Sequence, residues 1–110
     1  MYTVLDDDED FKIKLLKKRL KVNEELGDEE DAVYCKANLL AFEGKYDEAM
    51  SLLENLTNPS REDIKLNIMG YIYYRKGDTQ KALECAERAF ELNPSFEYYH
   101  NKNLYSRALD

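Results

Sequence analysis

The chain has 110 residues, 44% of them hydrophobic and 35% charged, with a formal net charge of −7. That length supports about one domain with a modest core, and the negative balance counts against nucleic acid, whose binding needs basic surface to release counterions. No apolar run reaches the roughly 18 residues needed to insert in a membrane, and the acidic N-terminus lacks the basic and apolar regions of a secretory signal, so a cytoplasmic location is expected. With two prolines, four glycines and apolar residues at helical spacing, the fold class is all-α.

Residues 1–10 hold Asp6, Asp7, Asp8, Glu9 and Asp10. They read as an acidic tail whose charge favours the positive end of the adjoining helix. That helix is expected over residues 11–27, closed by Gly27, and its core of 11–26 carries six basic residues against Glu24 and Glu25, a local charge of +4. It has two apolar stripes, Phe11, Leu15, Val22 and Leu26 on one side and Ile13, Leu16 and Leu20 on another. A helix apolar on two sides is expected to contact two neighbours or one wide groove.

From residue 30 an internal period of 33 appears. Val33, Lys36, Ala37 and Leu40 precede Leu66, Met69, Gly70 and Tyr73 by that interval, and Gly44, Ala49, Leu53 and Leu56 precede Gly77, Ala82, Ala86 and Ala89. Leu66, Met69 and Tyr73 share a helix face, Gly70 on it admits a close neighbour, and Gly77 ends the helix by taking a left-handed conformation. Asp78 or Thr79 is expected to cap the next helix, whose Ala82, Ala86 and Ala89 form a small-residue stripe. Pro94 stops that helix, and Ser95 is placed to cap a last one. Ser60 with Asp63 resembles a capping box.

The spacing Leu66-x-x-Met69-Gly70-x-x-Tyr73-x-x-x-Gly77-x-Thr79-x-x-Ala82-x-x-x-Ala86-x-x-Ala89, closed by Pro94, resembles a tetratricopeptide repeat, a helix–turn–helix unit of about 34 residues. The first copy carries the family's turn in Gly44-Lys45-Tyr46-Asp47-Glu48-Ala49. The resemblance implies a right-handed superhelix of antiparallel helix pairs, with repeats at 30–62 and 63–94. Residues 95–110 then form a capping or partial-repeat helix, because His100, Asn103 and Arg107 fall where core residues belong and only Leu104 fits.

The same resemblance implies a protein or peptide partner held in a groove lined by the first helices of successive repeats. Its expected lining is Tyr34 and Asn38, then Asn67, Tyr71, Tyr74 and Arg75, then Tyr98, Asn101, Lys102 and Tyr105. Asparagine pairs with a backbone amide through donor and acceptor together, and tyrosine supplies contact area with a polar tip. The carboxylate clamp of some relatives is not supported, since Tyr34, Asn38, Ile68, Tyr98 and Lys102 stand where Lys, Asn, Asn, Lys and Arg are required. An alternative is a structural or oligomerising module that docks through its terminal helices on a copy of itself or a larger chain. No enzyme, cofactor or metal is expected: His100 stands alone, Cys35 and Cys85 lack metal spacing and read as reduced thiols, and no Gly-rich phosphate loop occurs.

Overall fold

The computed structural model describes residues 4–110, with side chains from residue 10 onward. Its elements in order are α1 (Val4–Leu26), α2 (Glu29–Phe42), α3 (Tyr46–Glu54), α4 (Glu62–Arg75), α5 (Thr79–Leu92) and α6 (Phe96–Leu109), with no strand among the described residues. The fold is an all-α helical repeat. α1 begins at Val4, so most of the expected acidic tail is helical; an acidic sequence suits these turns because negative charge stabilises the positive end of the helix dipole. Residues 1–3 of that tail lie outside the described residues.

The boundaries follow turn chemistry. Gly44 and Gly77 take φ of 82° and 91° just after α2 and α4, a region that costs a side-chain-bearing residue energy. Asp28, Asp78 and Ser95 cap α2, α5 and α6, their side chains accepting from the backbone N–H groups of Asp31, Lys81 and Tyr98 at 3.1, 3.2 and 3.3 Å. At α4 the cap residue is Arg61 and not the expected Ser60. The Asp63 carboxylate there is engaged by groups from other parts of the chain. α3 ends at Glu54, ahead of Asn58-Pro59, where Asn58 has a positive φ of 50°.

The chain divides into two units, Met1–Leu52 and Leu53–Asp110. In the first, α1 packs on α2. Arg19 forks onto Asp31 at 3.0 and 2.9 Å, and the buried Asn23 donates to Asp31 and, at 3.8 Å, to the Cys35 thiol. Only one apolar stripe of α1 is covered. Ile13, Leu16 and Leu20 are half-buried, while Phe11, Leu15, Val22 and Leu26 are exposed, contrary to the expectation that both stripes meet neighbours. Ala37 and Ala49, marked by the 33-residue register, are fully buried, and the misfit Lys36 is exposed.

In the second unit, which opens on the fully buried Leu53 of the same register, α5 packs against both α4 and α6. α4 and α5 are antiparallel, since Tyr73 lies under Lys81, Gly70 meets Ala82 and Cys85, and Asp63 meets Asn93. A Cβ at Gly70 would lie 3.3 Å from the Cys85 Cβ and 3.4 Å from the Ala82 carbonyl, so the helices here approach as closely as a residue without a side chain allows with ease. Ala82, Ala86 and Ala89 form the buried seam, as their spacing predicts. The α4 stripe of Leu66, Met69 and Tyr73 is only half-buried, however, and Ile68 and Ile72 are the fully covered pair. Large side chains opposite a seam of alanines reach past it to the rim, whereas the isoleucine row, four residues apart, sits on a second covered side of the helix.

Candidate peptide-binding ridge

α6 lies beside α4 and runs in the same direction, because Asp63, Asn67 and Tyr74 meet Tyr98, Asn101 and Tyr105 in ascending order. Two helices in this relation bring equivalent positions, 31 to 35 residues apart, side by side. The Asn101 amide donates to the Asn67 carbonyl oxygen at 2.9 Å, and Asn67 in turn donates to Glu97 at 3.4 Å. Along α4, Asn67, Tyr71 and Arg75 follow four-residue steps, the first two half-buried and Arg75 exposed. The Arg75 guanidinium sits 5.9 Å from the Tyr71 ring centroid. The ridge therefore has an acidic end at Glu97, an amide centre and a cationic end at Arg75.

The other expected lining residues are placed differently. Tyr74 and Tyr105 pack with ring centroids 5.0 Å apart, and Tyr105 is buried, its hydroxyl pKa pushed up to about 12 by burial and by the neighbouring Tyr74 and Tyr71. They support the ridge from below. Tyr98 is buried too, and its hydroxyl donates to Asp63 at 2.9 Å; burial and that carboxylate push its pKa up. Lys102 turns toward α5, with its ammonium 5.0 Å from the Phe90 ring and 5.8 Å from that of Tyr99. In the first unit Tyr34 is buried and Asn38 half-buried on α2. Display of Tyr34, Tyr98 and Tyr105 is thus corrected to packing, because an aromatic ring buries more apolar area than any other use of it recovers in water.

Sequence reasoning passes over Glu97 and the role of Asp63. Asp63 is 5% exposed and accepts from Arg61 at 3.0 and 2.9 Å, from Asn93 at 3.1 Å and from Tyr98 at 2.9 Å. The Arg61 hydrogen bonds chiefly, opposed by burial and aided by Asn93 and Tyr98, hold its carboxyl well below the usual carboxylate range. An open depression of about 600 Å³ beside it is lined by Pro59, Arg61, Glu62, Asp63, Leu92 and Asn93. The one signal for these partners is an offset of about one repeat, which separates Asn67 from Asn101 and Asp63 from Tyr98.

His100 is exposed. Both cysteines are free and buried, and burial pushes the Cys85 thiol up to about 11. No group of three His, Cys, Asp or Glu side chains that could hold a metal occurs among the described residues. No helix among them is long and apolar enough to cross a membrane.

The tetratricopeptide repeat family model matches residues 65–96, the stretch that contains α5, nearly all of α4 and the Gly77 turn. Residues 65–96 form a tetratricopeptide repeat. Intraflagellar transport protein 70A of Xenopus tropicalis is 34% identical over 71 residues, which is 64% of this chain and 11% of that protein. Intraflagellar transport protein 70B of Mus musculus is 34% identical over 61 residues, 54% of this chain and 9% of its own length. The chain thus spans about a tenth of the length of these relatives. No solved structure gives a significant match. A repeat of this kind suggests a protein-interaction module, and its Gly70 contact and alanine seam set α4 closely against α5.

Proposed function

We propose that the chain is a non-enzymatic interaction module that binds an extended peptide of a partner protein along the α4–α6 ridge, through Asn67, Tyr71, Arg75 and Asn101. The observation that carries this is the amide ladder from Asn101 through Asn67 to Glu97, built across two helices with the Tyr71–Arg75 stack in line. With its amide N–H donating to Asn67, the Asn101 side-chain carbonyl oxygen can accept from a peptide N–H. Tyr71 supplies a flat apolar contact, and the charges at the two ends give the strip a direction. The kinship with intraflagellar transport proteins extends the reading to partners in intraflagellar transport. A cytoplasmic compartment is part of the same reading.

Extract from flagellated cells, passed over immobilised wild type and over Asn67→Ala/Tyr71→Ala, is the direct test. Each ridge contact is worth at least about 2 kcal/mol if it is a hot spot, so the double variant loses its specific partner while its far-ultraviolet circular dichroism stays native and its melt stays cooperative, at a midpoint lowered by the lost Asn67–Asn101 contact. Retention of the same partners by a folded variant sinks the ridge. The alternative of docking through an end helix is supported by a separate observation, the exposed stripe of α1.

A further inference from the structure

One row of α1, from Phe11 to Leu26, faces water. Phe11, Leu15, Val22 and Leu26 are 66%, 56%, 49% and 77% exposed. At about 100° per residue they fall within an arc of roughly 60°, and at 1.5 Å per residue they span about 22 Å of helix. Four large apolar side chains in one row are not the scattered exposure of an ordinary surface.

Charge borders the row on both sides. Lys14, Lys18 and Lys21 flank one edge, with Glu25 among them, and Lys12 and Arg19 flank the other, all of them exposed, so the borders are basic on balance. Residues 11–26 carry +4 in a chain of −7, so the remainder carries −11. These facts choose among occupants. A second copy related by a two-fold axis would set the same lysine borders against each other. An anionic bilayer is an extended plane that would meet the larger negative charge of the rest of the chain as well as the lysines, whereas a single helix meets only the charges within about 10 Å of the row. A helix with apolar residues at three- and four-residue steps and carboxylates beside them fits both features, and about four turns match the length of the row. The covered side of α1 already uses this chemistry, since Asp31 of α2 takes the fork of Arg19.

We propose that α1 docks an acidic amphipathic helix of a partner protein on Phe11, Leu15, Val22 and Leu26, with the flanking lysines pairing its carboxylates. This surface is separate from the α4–α6 ridge, and either stands without the other.

The probe is a fluorescent synthetic peptide of about four helical turns, with leucines at three- and four-residue steps and glutamates beside them. A control peptide keeps the leucines and replaces every glutamate by lysine. Fluorescence anisotropy with the full chain should show binding of the acidic peptide only, weakened several-fold as salt rises from roughly 0.05 to about 0.5 M. Leu15→Asp/Val22→Asp should weaken it at least about tenfold, and Lys14→Glu/Lys18→Glu should do likewise. All four side chains are exposed, so circular dichroism should report native helix in both variants. Asn67→Ala/Tyr71→Ala should bind the acidic peptide as wild type does. The proposal is overturned by absent or equal binding of the two peptides, or by binding that the α1 variants leave unchanged. It is equally overturned if those variants abolish a self-associated dimer seen by sedimentation, or binding to phosphatidylserine vesicles.

Discussion

At the first turn of α4 the Asp63 carboxylate is removed from water yet surrounded by donors from three places: Arg61 before the helix, Asn93 after α5 and Tyr98 in α6. A buried carboxylate is costly unless each oxygen is paired. The Arg61 side chain is 52% exposed, so solvent weakens its share of the pairing, and the two neutral donors matter more to how the helix ends are joined. Removing the Tyr98 hydroxyl by Tyr98→Phe should cost about 1–2 kcal/mol, because the carboxylate loses one donor and keeps the others. Asp63→Ala should cost about 1–3 kcal/mol, since it strands the Tyr98 hydroxyl in the interior while the exposed Asn93 amide turns to water. Urea unfolding midpoints of the two variants measure this, and equal stability of Asp63→Ala and wild type would contradict it.

Among the elements, the approach of α5 to α4 is set by glycine and alanine rather than by large apolar residues. Gly70 leaves just enough room, with Cys85 and the Ala82 carbonyl at the edge of contact for any added carbon. Gly70→Val adds methyl groups beyond that carbon and should destabilise by about 1–3 kcal/mol, read as a lowered thermal midpoint. A midpoint equal to wild type would mean that the helices separate without cost. The position one repeat later is Leu104 in α6, which is 37% exposed. A leucine there blocks any helix from lying as close to α6 as α5 lies to α4.

For the whole molecule, the titrating groups set a pH window. Burial raises the Cys85 thiol from its ordinary 9.0 to about 11 and the Tyr105 hydroxyl from 10.0 to about 12. A raised folded value means the folded chain keeps a proton that the unfolded chain releases, so this stability is fully present below pH 9 and is lost as pH rises to about 12. Asp63 acts in the opposite sense. Its folded value is lowered, so its contribution is present above the ordinary 3.8 and is lost as pH falls. Thermal midpoints should therefore be level from about pH 5 to pH 9 and fall on either side. Tyr105→Phe should make the alkaline fall shallower, and a midpoint unchanged up to pH 12 would refute the assignment.

The residues that determine conformation locally were legible from the sequence. Gly44 and Gly77 turn where only a residue without a Cβ turns freely, Asp78 and Ser95 cap the helices they precede, and Ala82, Ala86 and Ala89 lie on one buried seam. These depend on backbone geometry and on a period of 3.6, both properties of neighbours in the chain. The ridge and the Asp63 cluster depend on which residues 30 to 35 positions apart come within hydrogen-bond reach, and no local preference carries that distance. Only the tertiary structure decided that Tyr98 and Tyr105 pack, that Lys102 turns to α5, and that one of the two stripes on α1 stays in water. The physical reason is the same in each case. Burial is a property of the space around a side chain, and that space is made by elements distant in sequence.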